Sequence, residues 1–255
     1  MELVDTHCHI HSTIYPLDPN DAIKDAIANQ VAKIVCVGEG SDDIKKALIL
    51  AEKYSNISVS AGFHPHEARL YRKNSVELED LNNLISSNKI VAIGECGLDY
   101  YYDHSDKSDQ RSILEYQLDI ASRSSLPVIF HVREAFDDFW PIYDNFRGIK
   151  GVIHSFTADE TTLTQALNRG LLVGLNGIIT FSKDPKQLEA AKKIPLTNLV
   201  VETDAPFLTP APFRGTICQP KHVRTTAEFL AKLRGESLEV FAENTTKNAI
   251  KLFNL

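Results

Sequence analysis

A (β/α)8 barrel of the TIM type is the fold this chain predicts, and three features of the sequence predict it. About eight apolar, β-branched runs alternate with amphipathic stretches from one end to the other, the number of βα units that closes a barrel. The runs are nearly continuously apolar, as parallel strands buried on both faces must be. Residues able to do chemistry sit late in several runs, where a parallel barrel gathers its working groups. A doubly wound open sheet is the architectural alternative, but no G-x-G-x-x-G follows the first run.

In chain order the strands are "ELVDTHCHI", "KIVCVGEG", "ISVSAGFHP", "IVAIGECGLD", "LPVIFHV", "KGVIHSF", "LLVGLNGIIT" and "LVVETDAP". Helical periodicity fills the gaps, over 19–30, 42–54, 76–87, 109–122, 134–146, 159–169 and 186–193. The stretch 109–122 shows the basis: Ile113, Tyr116 and Ile120 fall on one stripe beside Leu114, Leu118 and Ala121, a face that packs on a barrel wall. Two extra helices, 221–233 and 237–253, close the chain, with Gly235 between them as a stop signal.

With 255 residues, 43% hydrophobic and 24% charged, the chain buries a sizeable core, and residues 1–255 are read as one domain. No stretch is as long or as apolar as a membrane span, and no basic region with an apolar signal segment opens the chain, so a cytoplasmic location is expected. The four cysteines (Cys8, Cys36, Cys96 and Cys218) lack paired spacing, which favours buried structural thiols. A net charge of -7 argues against coating nucleic acid by bulk electrostatics, so any phosphate recognition must be local.

Within the first strand, His7 and His9 alternate onto one side and Cys8 onto the other. Two imidazoles from one strand end make half of a divalent-metal site, and Glu95, His131, His154 and Asp204 supply matching donors at other strand ends. A lone H-x-H is weak evidence, since a single histidine is more often satisfied by a backbone carbonyl; the recurrence at strand ends carries the reading. Mainly imidazole donors suit zinc, manganese, nickel or iron. Histidines with two carboxylates suit a binuclear centre, with ions about 3.5–4 Å apart clamping a phosphoryl displacement. Glu95, after a buried strand in mid-chain, is the candidate bridge. Asp204 is the candidate acceptor for the proton of a nucleophilic water. Glu202 faces the same side but deeper, as a supporting or structural group.

Three loop clusters are candidates for reading a substrate. After the third strand come His64, His66, Arg69, Arg72 and Lys73; after Glu95 come Tyr100, Tyr101 and Tyr102; after the last strand, Arg214-Gly215 sits among Pro206, Pro210 and Pro212. Cations bind phosphates and tyrosines stack on bases. A charge run is more often a solvated loop and a tyrosine run more often packs with wet hydroxyls, which leaves His64 and Arg214 foremost, with Tyr100 as the aromatic candidate.

These residues lie in motifs that resemble the TatD family of metal-dependent hydrolases, TatD-type deoxyribonucleases of the amidohydrolase-like barrel superfamily. The carriers are "DTHCH" (5–9), "GFHPH" (62–66), "GECGLDYYY" (94–102), "LPVIFHVREA" (126–135), "GVIHSFT" (151–157), "GLNGIITF" (174–181) and "ETDAPFL" (202–208), with "ENTTKNAIKLF" near the end. The resemblance implies one ion held by His7, His9, Glu95 and Asp204 and a second by Glu95, His131 and His154. Magnesium or manganese is expected in function, with zinc or nickel also compatible with the donors. It further implies that His64 contacts the scissile phosphate, that Asp204 positions and deprotonates the water, and that the activity is a 3'-5' exonuclease type of DNA hydrolysis by a monomer. One departure stands out. The family commonly has a basic residue and then Asn after Arg-Gly, whereas here Thr216, Ile217 and Cys218 follow, so the loop has lost polar character.

Two rival readings remain. One is an ester or amide hydrolase on the same scaffold, such as a D-aminoacyl-tRNA deacylase, with charged tRNA or RNA as partner in place of DNA. The other is a non-catalytic, metal-stabilised binding protein, which the intact donors and His64 weigh against, because a structural site needs no open coordination position.

Overall fold

Each apolar run of the sequence supplies one strand of a single closed sheet. The computed structural model describes residues 1–85, 90–102 and 104–255. Its strands are β1 (Leu3–Cys8), β2 (Val31–Glu39), β3 (Ile57–Gly62), β4 (Ile90–Asp99), β5 (Val128–Arg133), β6 (Gly151–Ile153), β7 (Leu172–Leu175) and β8 (Leu199–Val201), hydrogen-bonded in chain order. Every neighbouring pair is parallel. The circle closes just beyond β1 and β8, where the His9 N–H donates to Ala205 O at 2.7 Å and the Asp204 N–H to His7 O at 2.8 Å. The predicted (β/α)8 barrel is the observed fold.

The returning helices are α1 (Pro19–Ala28), α2 (Ser41–Lys53), α3 (Ala68–Tyr71), α4 (Ser75–Ile85), α5 (Lys107–Ser124), α6 (Phe136–Asp144), α7 (Glu160–Asn168) and α8 (Pro185–Lys193), followed by the extra pair α9 (Val223–Arg234) and α10 (Leu238–Phe253). Local chemistry sets several boundaries. Asp18, Asp159 and Asp184 accept from backbone N–H groups at the starts of α1, α7 and α8. Gly235 ends α9 with φ 69°, a left-handed stop that costs glycine little.

The apolar residues sort into two layers. Val4, Val35, Val37, Ala92, Ile129, Val152 and Val200 fill the barrel interior together with Ala249 and Phe253 of α10. Thr246 and Asn248 bond the carbonyls of Glu2 and Leu196, so α10 lies at the N-terminal ends of β1 and β8 and leaves the opposite end to the polar residues. The larger outer layer packs the strands against the surrounding helices.

Two local expectations change, and a third is not reached. The seventh strand stops at Leu175 instead of running to Thr180, because Asn176 Oδ1 accepts from the Ile178 N–H at 3.1 Å and turns Gly177–Thr180 into a 3-10 helix. The loop after β3 contains a 3-10 turn and the short helix α3, pinned by Tyr71 stacking on Phe63 at 3.9 Å. The end expected for the helix over 76–87 lies outside the described residues. Among the described residues no helix is long and apolar enough to cross a membrane.

Candidate metal centre

At the C-terminal end of the barrel, the residues expected from the strand ends meet around one carboxylate. Glu95, 3% exposed at β4, has Oε2 3.1 Å from His7 Nε2. Its other oxygen, Oε1, stands 2.6 Å from His131 Nδ1 and 2.9 Å from His154 Nε2. On the His7 side, His9 Nε2 lies 3.2 Å from His7 Nε2, and Asp204 Oδ1 lies 3.6 Å from His7 and 3.4 Å from His9. All six expected metal-site residues therefore converge.

This donor set fits a divalent cation. Ligands around a tetrahedral ion at about 2.0–2.1 Å stand about 3.4 Å from one another. The pairs His7–His9, His7–Glu95, His7–Asp204 and His9–Asp204 stand 3.1–3.6 Å apart. Outer hydrogen bonds orient three of the imidazoles, as metal-ligating histidines require. His9 Nδ1 donates to Val37 O at 3.0 Å, His154 Nδ1 to Glu202 Oε1 at 3.1 Å and His131 Nε2 to Asp99 Oδ2 at 2.9 Å.

Electrostatics carries the same message. Burial opposes the charged form of His9, yet the Asp204 bond and the Glu39, Asp204 and Glu95 charges push it up to about 10. His131 rises to about 9, burial being overcome by its bonds to Asp99 and Glu95. Both nitrogens of His131, and both of His154, face carboxylates, so without a cation only the doubly protonated rings satisfy their partners. Burial would raise the Glu95 carboxyl, but the charges of His154 and His7 hold it well below the usual carboxylate range. The cluster is built to surround positive charge, and protons supply it where an ion does not.

Backbone geometry aims the last donor. Asp204 has φ 61°, an uncommon left-handed conformation for a non-glycine residue. Asp5, buried in β1, accepts from both N and Oγ1 of Thr203, at 2.8 and 2.6 Å, and so clamps the residue before it. Gly174 of β7 is needed for a different reason: a Cβ there would collide with the Glu202 carboxylate.

The chain matches the family model described as TatD related DNase over residues 4–254. It belongs to the TatD family. One relative, the uncharacterized metal-dependent hydrolase YabD of Bacillus subtilis, is 35% identical over 255 residues, 99% of each chain. The 3'-5' ssDNA/RNA exonuclease TatD of Pectobacterium carotovorum is 30% identical, covering 99% of this chain and 100% of that one. The crystal structure of YjjV, a TatD homologue from Escherichia coli, superposes with a TM-score of 0.92 at 29% identity, over 99% and 98% of the two chains. This TatD-family protein is a metal-dependent hydrolase, with His/Glu clusters able to hold the metal.

Substrate candidates are placed unevenly around the TatD centre. His64 lies beside it, with Nε2 3.8 Å from Glu95 Oε1. Its Nδ1 accepts from the His66 N–H at 3.2 Å, and burial with the neighbouring His131 charge holds the ring well below its usual pKa. A neutral ring with Nδ1 accepting carries its proton on Nε2, so His64 is a hydrogen-bond donor towards the centre. Arg214 is exposed and stacks on Phe181 at 3.9 Å. Tyr100 is tied down instead, its hydroxyl donating to Asp138 at 2.7 Å and the Lys107 ammonium lying 4.1 Å over its ring. Arg72 is spent on Asp109.

The altered loop needs a correction. Thr216 faces solvent, but Cys218 is fully buried, its N–H bonded to Pro206 O at 3.0 Å, so polarity lost there is not polarity lost from a substrate surface.

Sequence reading missed Asp99, Glu39 and the clamp role of Asp5. Asp99 binds both His66 Nε2 and His131 Nε2, at 3.0 and 2.9 Å, and Glu39 clusters with His64 and Glu95. A signal existed for Asp99 and Glu39: both are acids at strand ends, and Asp99 shares strand parity with Glu95.

Proposed function

We propose that this protein hydrolyses phosphodiester bonds of nucleic acid, DNA foremost, as a 3'-5' exonuclease using two divalent ions, magnesium or manganese. The observation that carries the reading is Glu95, which turns Oε2 to His7 and Oε1 to His131 and His154, the geometry of a bridging carboxylate. On this reading His7, His9, Glu95 and Asp204 hold one ion and Glu95, His131 and His154 the other. When bound, the ions would supply Lewis acidity to the phosphate and acidify a nucleophilic water.

The chain's own groups do the rest. Asp204, with its side chain 16% exposed, is reached by water and accepts the proton. The Nε2–H of His64 donates to a phosphate oxygen without carrying charge itself. Arg214, held by Phe181, takes a neighbouring phosphate. The name of the Pectobacterium relative supports a single-stranded substrate.

The test is a panel of single-stranded DNA, duplex DNA, RNA and aminoacyl-tRNA, each with magnesium, manganese, zinc or nickel. Shortening of single-stranded DNA from its 3' end is expected. Release of amino acid from tRNA with DNA left intact would replace this reading by that of a deacylase.

A further inference from the structure

The geometry points to a stacking subsite for one unpaired nucleotide at the rim of the metal centre, formed by Tyr101, Tyr102 and Arg133. It rests on the nucleic-acid reading above and specifies how that substrate is held. The Arg133 guanidinium lies 3.9 Å from the centre of the Tyr101 ring and 4.8 Å from that of Tyr102. Despite this contact Tyr101 stays 53% exposed and Tyr102 42% exposed. Large aromatic rings left this open at the mouth of a polar site have one good use, which is to receive another flat ring.

The platform is continuous with the centre. Tyr102 meets His66 edge to face at 5.4 Å, and His66 meets His64 at 4.3 Å and His131 at 6.1 Å. Asp99 and Arg133 are partners across β4 and β5, so the guanidinium stands one strand end from the residue that orients His131. Behind Tyr102, His104 stacks at 5.6 Å with planes 18° apart and keeps the ring upright.

Charge supports a phosphate beside the base. Among the described residues no carboxylate pairs with Arg133, whereas Arg72, Arg111, Arg169, Arg224 and Arg234 each have an acidic partner. On a chain of net charge -7, an exposed cation without an acid supplies the local positive charge that phosphate recognition needs. Stacking is sequence-tolerant but requires a base free of its partner, so the subsite selects single strands and frayed ends.

The test measures binding of the metal-loaded, full-length protein to a hydrolysis-resistant phosphorothioate oligothymidylate and to the same strand with abasic 3'-terminal positions, by fluorescence anisotropy. The wild type should prefer the base-bearing strand about tenfold, a typical loss when one base–aromatic stack is removed. Tyr101→Leu should abolish the preference by weakening only the base-bearing strand, and Tyr101→Phe, which keeps the ring, should retain it. Equal binding of both strands by the wild type, or a preference that survives Tyr101→Leu, overturns the subsite, as does absence of binding. If the preference obeys the ring but no strand is ever hydrolysed, the subsite stands and the nuclease reading falls; if DNA is degraded while the preference ignores the ring, the reverse holds.

Discussion

The backbone N–H of Asp204 donates to the His7 carbonyl at 2.8 Å. The bond that closes the barrel between its first and last strands therefore joins two residues of the donor set. An ion held by both side chains would tie the two strand ends together and so couple metal occupancy to the integrity of the seam.

Metal binding should displace protons. His9 and His131, raised to about 10 and about 9, are protonated at pH 7 in the metal-free protein. Their folded values exceed the unfolded value of about 6.5, so their contribution to metal-free stability is complete below that pH and is lost as pH rises through 9 and 10. A cation competes for these nitrogens and for that of His154, which Glu95 and Glu202 hold well above its usual value, so its affinity should fall as pH falls, with about three protons released on binding at pH 7. Calorimetry in buffers of different ionisation enthalpy counts them; release of none would contradict the assignment. Chelation should also abolish hydrolysis and lower the melting temperature.

Glu95→Ala should lose both ions and all hydrolysis, since Glu95 turns one carboxylate oxygen to each proposed donor group. Metal analysis of the purified variant settles it, and unchanged stoichiometry would refute the bridge.

Glu202 bonds His154 of the centre, with Oε1 3.1 Å from Nδ1, and it also accepts from the Ser155 N–H at 2.7 Å. Glu202→Gln should weaken metal affinity about 10–100-fold, the usual effect of losing an outer carboxylate partner. Competition titration against a chelating dye reads the change.

Asp204→Asn keeps the shape of the side chain but removes the proton acceptor. Turnover should fall about a hundredfold or more, with the Michaelis constant little changed. Steady-state kinetics at saturating metal separates the two parameters, and near-normal turnover would remove Asp204 from the role of base.

The loop after β8 should respond differently at its two altered positions. Thr216→Lys adds an exposed cation and should lower the Michaelis constant for DNA, adding about 0.7 to the salt slope expected of one more single-strand phosphate contact. Cys218→Asn buries an amide where the thiol is now 0% exposed, and should cost about 1–3 kcal/mol of stability without improving binding. Kinetics over a salt series and thermal melts of the two single variants distinguish these outcomes.

The barrel and the convergence of the six candidate donors were legible in the sequence because both depend on local pattern. Apolar runs buried on two faces announce parallel strands, and parity along "DTHCH" places His7 and His9 together whatever else the chain does. Parallel closure then carries every strand end to one side, so Glu95, His131, His154 and Asp204 had to meet them. What the tertiary structure alone decided are relations between side chains from distant elements. These include which oxygen of Glu95 faces which histidine, that Asp99 and Glu202 orient two of the rings, and that Cys218 turns inward while Thr216 stays out. The tyrosine run makes the point within three residues: Tyr100 bends to Asp138 on α6 while Tyr101 and Tyr102 stay open under Arg133. Past the end of a strand no periodicity dictates direction, so each ring goes where neighbours from elsewhere in the chain offer it a partner.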